Sequence, residues 1–136
     1  MVTSPSSTAD GRHRIVVVED DSANRLFFAD YLTFSGFKVL ALPHGLDLDQ
    51  QLKEFQPHLL LLDLGLPEID GYTLLKQVRS SPLWQQLPVI VVSGYAFAED
   101  QHRAFNLGAQ KYLVKPVPLQ QLTHAIYCFL QQPNNR

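Results

Sequence analysis

An α/β fold, with a five-stranded parallel sheet covered by helices on both faces, is the class this sequence predicts. Three observations predict it. Short, bare apolar runs alternate with longer segments of helical spacing along the whole chain from Arg14 onward. The apolar runs show no polar alternation and several are β-branched throughout, as in Ile15-Val16-Val17-Val18 and Val89-Ile90-Val91-Val92. Such strands suit burial on both faces, and parallel strands joined by helical crossovers are the arrangement that provides it. Finally, turn and cap residues fall between the two kinds of segment and not inside them.

In order, the strands are expected at Ile15–Val18, Phe37–Leu42, Leu59–Leu62, Val89–Val92 and Tyr112–Val114. The first helix carries Phe27/Phe28 one turn before Tyr31/Leu32, with Ser22 placed to cap it and Ser35-Gly36 to end it. Leu48, Leu52 and Phe55 mark the second helix, and Leu75 with Val78 the third. Ala104, Phe105 and Leu107 suggest a shorter fourth helix closed by Gly108. Leu119, Leu122, Ile126 and Phe129 or Leu130 give the fifth its apolar stripe. Pro57 and Pro88 precede strands 3 and 4, and Pro116 with Pro118 opens the last helix. Met1–Arg12, rich in Ser and Thr, reads as a flexible arm (1–12), followed by one domain over 13–131 and a short tail over 132–136. The starting Met1 and the short polar tail suggest a whole protein with no second domain.

Composition narrows the class of function. The 136 residues are 46% apolar and 18% charged, enough apolar surface for one packed core. Eleven Lys plus Arg against thirteen Asp plus Glu leave a net charge of -2, so no basic excess favours direct nucleic-acid binding. Cys128 is the single cysteine, which excludes an internal disulfide framework and any multi-thiolate metal site. No apolar run approaches the roughly 20 residues that span a bilayer, and the N-terminus lacks a signal-peptide core. A cytoplasmic protein without membrane association is expected.

Ligands of open parallel sheets bind beyond the carboxyl ends of the strands, where loops converge. Glu19-Asp20-Asp21 follow strand 1, Asp63 follows strand 3, Ser93 strand 4 and Lys115 strand 5. Strand 2 runs into Leu42-Pro43-His44, which offers no comparable group. Carboxylates gathered at one edge repel and need protons or a cation, and an all-oxygen donor set suits a hard ion such as Mg²⁺. An Asp, a divalent cation, a Lys and a hydroxyl together describe a site where a phosphoryl group is delivered onto a carboxylate.

Four strings carry a family resemblance: Val-Val-Val-Glu-Asp-Asp (16–21), Leu-Leu-Asp-Leu-Gly-Leu-Pro-Glu-Ile-Asp-Gly (61–71), Val-Ile-Val-Val-Ser-Gly (89–94) and Gly-Ala-Gln-Lys-Tyr-Leu-Val-Lys-Pro (108–116). With this order and spacing the chain resembles receiver domains of two-component response regulators, of the single-domain chemotaxis-regulator type. The resemblance implies a flavodoxin-like, doubly wound sheet of order 2-1-3-4-5. It implies that Asp63 accepts a phosphoryl group from a sensor histidine kinase or histidine phosphotransfer protein. Asp20 and Asp63 would ligate Mg²⁺, with Glu19 acting through water and Gly65 through its carbonyl. Lys115 would pair first with Asp63 and then with a phosphoryl oxygen, across a cis Lys115–Pro116 bond. Ser93 would move to the acyl phosphate and Tyr112 would follow it, changing the surface of helix 4, strand 5 and helix 5 that a downstream target protein reads. Such a protein is a switch and not an enzyme, a monomer or a weak phosphorylation-dependent dimer.

Two departures stand beside the site. Gly65 lacks the side chain that many relatives carry two residues after the acceptor, and Tyr95 is bulky two residues after Ser93. One opens the site to water and the other screens it, so an acyl phosphate of intermediate-to-long lifetime is expected. Val117 stands where relatives often have Phe, which is expected to loosen packing there. Asp21 reads as a helix N-terminal charge. The five histidines, at 13, 44, 58, 102 and 124, share no metal-site spacing and read as structural or solvent-facing, and Cys128 as packing. Other readings are a receiver-fold binding scaffold that is never phosphorylated, and a receiver excised from a hybrid histidine kinase. A phosphohydrolase would carry a second Asp two residues after the nucleophile, where this chain has Gly65. A flavodoxin would not place acidic residues after strand 1.

Overall fold

The computed structural model describes residues 11–130. Of the expected arm only Gly11 and Arg12 fall within it; the tail and position 131 lie outside the described residues. Five strands and five helices alternate: β1 (Arg14–Val18), α1 (Ser22–Phe34), β2 (Lys38–Leu42), α2 (Leu48–Phe55), β3 (Leu59–Leu62), α3 (Gly71–Ser80), β4 (Val89–Ser93), α4 (Ala98–Asn106), β5 (Lys111–Val114) and α5 (Leu119–Leu130). All pairings are parallel, in the order β2-β1-β3-β4-β5. This is the doubly wound, flavodoxin-like sheet that was expected.

The sheet's side-chain alternation sorts the core into two layers. Val16, Val18, Leu60, Leu62, Val89 and Val91 face α2, α3 and α4, where Leu52, Leu74, Leu75 and Ala104 meet them. Ile15, Val17, Leu59, Leu61, Ile90 and Val92 face α1 and α5, against Phe28, Leu32, Leu122 and Ile126. Because both faces are covered, β1, β3 and β4 are buried at every position. The unalternating sequence runs have this cause.

Element ends correct the sequence reading in five places. Asp21, not Ser22, caps α1: its carboxylate accepts from the Asn24 amide at 2.8 Å while its own backbone is still extended. Phe37 lies before β2, its amide donating to the Leu32 carbonyl in the turn through Gly36, whose φ is +102°. β1, β4 and β5 each gain one residue, at Arg14, Ser93 and Lys111. Val117 is partly buried against the α1/α5 layer and, with Asn24, Phe27, Phe28, Lys115 and Pro116, lines a cavity of about 370 Å³. Among the described residues no helix is long and apolar enough to cross a membrane.

Candidate functional site

Backbone pairing continues one residue past the strands and seats the chemical groups. The Asp63 amide donates to the Val18 carbonyl at 3.1 Å, and the Lys115 amide to the Ser93 carbonyl at 2.9 Å. The side chains at 19, 20, 63, 93 and 115 therefore leave one rim of the sheet together. Carboxylate oxygens of Glu19, Asp20 and Asp63 lie within 4.8 Å of one another. Lys115 Nζ donates to Glu19 Oε1 at 2.7 Å and to Asp63 Oδ2 at 3.2 Å. The Gly65 amide donates to Asp63 Oδ1 at 3.3 Å. Glu19, Asp63 and Ser93 are buried, at 2%, 7% and 1% exposure, whereas Asp20 faces solvent.

This burial has an electrostatic consequence. Desolvation pushes the Glu19 carboxyl above its ordinary value; the Lys115 hydrogen bond pulls it back, and the nearby Asp63 charge pushes it up again. Burial alone would lower Lys115. The Glu19 hydrogen bond and the Asp63 and Glu19 charges outweigh it, and the ammonium is held above its usual range. Three carboxylates with one cation leave excess negative charge at the rim. Oxygen donors at this spacing fit a small, hard divalent ion with retained waters.

Lys115 thus pairs with Asp63 and, more closely, with Glu19, the latter a partnership spanning 96 positions that the sequence did not suggest. The Lys115–Pro116 bond is cis. Ser93 Oγ accepts from the Tyr95 amide at 3.1 Å, and Tyr112 Oη donates to the Tyr95 carbonyl at 2.7 Å. Tyr112 is buried, with its ring beside Phe105 of α4. A Cβ added at Gly65 would lie 3.1 Å from Tyr95 Oη, so the tyrosine covers the space that the glycine leaves. Of the histidines, His58 Nδ1 accepts from the Arg14 amide and His44 Nδ1 from the Leu46 amide. Cys128 is exposed and not packed, contrary to expectation, and touches His124.

Two features were missed. Arg25 Nη1 donates to the Glu19 carbonyl at 2.9 Å and the Asp20 carbonyl at 3.1 Å, and so clamps the acidic loop. A cation in a helix's first turn opposes the helix dipole, which is the signal that could have found it. Tyr72, the second residue of α3, donates to Asp100 Oδ1 of α4 at 3.1 Å, with the Arg103 guanidinium stacked 3.9 Å over its ring. Nothing in local spacing reports that bridge.

Comparison with known proteins agrees with this picture. The chain is 28% identical to the polar-differentiation response regulator DivK of Brucella anthropi over 116 residues, covering 85% of this chain and 94% of DivK. The crystal structure of a response regulator from Chloroflexus aurantiacus superposes with a TM-score of 0.84 at 31% identity, over 89% of this chain and 99% of the other. The receiver domain of sensor histidine kinase PA1611 from Pseudomonas aeruginosa, with a magnesium ion in its active-site cleft, shares the fold. Its TM-score is 0.82 at 22% identity, over 89% of this chain and 99% of that one. Residues 15–127 match the family described as response regulator receiver domain. That match takes in all five strands, and this protein belongs to the receiver domains of two-component response regulators.

Proposed function

We propose that this receiver, the unit at 13–131, takes a phosphoryl group from a phosphohistidine onto Asp63. The receiver would act in the cytoplasm, and the donor is a sensor histidine kinase or a histidine phosphotransfer protein. One observation carries the reading: the Glu19, Asp20 and Asp63 carboxylates and the Lys115 ammonium converge on one rim, with Asp63 within hydrogen-bond reach of the ammonium and beside the two carboxylates that could share a cation with it. Asp63 supplies the nucleophilic oxygen. An O–P bond forms in line as the N–P bond of the donor breaks, and the imidazole, already protonated on its other nitrogen, keeps the electron pair and leaves as a neutral ring.

Asp20 and Asp63 would hold Mg²⁺ directly, with the Gly65 carbonyl, and with Glu19 through water. The magnesium-bearing PA1611 receiver supports this assignment, as does the all-oxygen donor set. When bound, the ion neutralises carboxylate and phosphoryl oxygens so that two anions can meet. Lys115, already between Glu19 and Asp63, donates to a phosphoryl oxygen. Ser93 turns its hydroxyl toward the same group and releases the Tyr95 amide. The Tyr95 carbonyl anchors Tyr112, so the rearrangement reaches the face of α4, β5 and α5, where a downstream target protein would bind.

Phosphotransfer profiling against histidine kinases, with Asp63→Asn as the control, tests this reading. Transfer to the native chain and none to the variant is expected. Failure of every kinase and of acetyl phosphate to label the protein would favour a scaffold that is never phosphorylated.

A further inference from the structure

Among the described residues α4 has a single buried side chain, Ala104, whereas α3 buries Tyr72, Leu74, Leu75 and Val78. No side chain caps the first turn of α4. Tyr72 of α3 grips the helix instead. Its ring is buried, its hydroxyl donates to Asp100 Oδ1 at 3.1 Å, and the Arg103 guanidinium stacks 3.9 Å over its face. Asp100 and Arg103 are three residues apart and share one side of α4. A phenol donating to a carboxylate makes a charge-assisted bond, stronger than one between neutral groups, and the stacked cation adds its own attraction.

The other end of this tie lies under Asp63. Tyr72 follows Gly71, whose amide donates to the Leu64 carbonyl at 2.9 Å and whose Cα packs so closely on Asp63 that an added Cβ would meet the Asp63 carbonyl. Tyr72 therefore joins the Asp63 loop to α4 by a route that passes through neither Ser93 nor Tyr112. In the same arrangement Ser93 Oγ is engaged by the Tyr95 amide, so its hydroxyl has not turned toward Asp63. A bond of 3.1 Å is lost once α4 moves about 1 Å away from α3. We infer that Tyr72 is a latch that holds α4 in the resting position and opposes the rearrangement that accompanies phosphorylation. The inference rests on the proposed chemistry of Asp63. By linkage, deleting a bond present only in the resting state tightens binding of any group that favours the other state, by up to the same factor.

Tyr72→Phe keeps the buried ring and deletes the hydroxyl, and Asp100→Ala deletes the acceptor. Glu99→Ala, in the same first turn, controls for the loss of a helix N-terminal charge. Two quantities are measured on the full chain: amide hydrogen exchange of α4 with no phosphoryl group present, and affinity for beryllium fluoride with Mg²⁺, a mimic of the phosphoryl group. Both Tyr72→Phe and Asp100→Ala should speed α4 exchange about fivefold and tighten beryllium fluoride binding about fivefold. The double variant should gain nothing further, because both changes delete one bond, and Glu99→Ala should match the native chain. Loss of a merely structural contact would not tighten binding. A native chain that binds no beryllium fluoride marks a failed Asp63 reading, whereas α4 exchange unchanged by Tyr72→Phe marks a failed latch. Binding no tighter than native in Tyr72→Phe, or effects that add in the double variant, would overturn the inference.

Discussion

At Glu19 a buried carboxylate meets the ammonium of Lys115, and the same ammonium reaches Asp63. The residues around these three hold them in place. Arg25 spans the carbonyls of Glu19 and Asp20 without touching a carboxylate, so its role is to set the loop. Arg25→Met should lower Mg²⁺ affinity about tenfold, about 1.4 kcal/mol, while secondary structure stays intact; calorimetric titration reads the first and circular dichroism the second. An unchanged affinity would remove the clamp. Tyr95 lies over Gly65, so the tyrosine screens the space that the glycine opens. Tyr95→Ala should expose the acyl phosphate and shorten its lifetime about fivefold, about 1 kcal/mol in the barrier. Decay of labelled protein in Mg²⁺ buffer measures it, and a longer lifetime contradicts it. Tyr72 gives a pH prediction. Burial first, and then the Asp100 hydrogen bond, raise its phenol from 10.0 to about 12. Between these values the folded chain keeps a proton that the unfolded chain releases, so stability falls as pH rises through this window. Tyr72→Phe should flatten that fall in alkaline denaturant titrations; an identical slope would show that the phenol is not responsible.

Among the elements, the loop from β3 to α3 does most to position Asp63. Asp70 caps α3 by accepting from the Tyr72 and Thr73 amides at 2.8 and 3.2 Å. The Gly71 amide donates to the Leu64 carbonyl at 2.9 Å. A Cβ at Gly71 would collide with the Asp63 carbonyl and with Leu64 Cα, 2.5 Å away, and backbone atoms cannot yield as a flexible side chain can. Gly71→Ala should therefore cost about 2 kcal/mol in urea unfolding and slow phosphorylation by displacing Asp63. Native stability in that variant would show that the loop has slack. From sequence, α3 was marked only by Leu75 and Val78 and Asp70 was not assigned as its cap, although Asp70-Gly71 combines cap chemistry with a small residue at one spot. Other element ends were no more legible. Asp21 and Ser22 can both cap, and only the backbone turn decides between them. Phe37 is apolar because it packs beside Tyr127, not because it belongs to β2.

Over the whole molecule, the carboxyl ends of β1, β3 and β5 were readable because an apolar run stops at a charged residue, as at Val18-Glu19, Leu62-Asp63 and Val114-Lys115. Strand order came from the family resemblance, since nothing in β2 states that it lies at the edge. Pairings across long separations, such as Lys115 with Glu19 or Tyr72 with Asp100, depend on the folded sheet and leave no local trace. The account rests on Asp63 being the acceptor at a rim where a cation, an ammonium and a hydroxyl assemble. Intact-mass spectrometry of the chain with acetyl phosphate and Mg²⁺, followed by borohydride trapping and peptide mapping, tests this most directly. A single phosphoryl adduct on Asp63, lost with chelator and absent from Asp63→Asn, is the predicted result. An adduct on another residue, or one formed equally without a divalent ion, would contradict it.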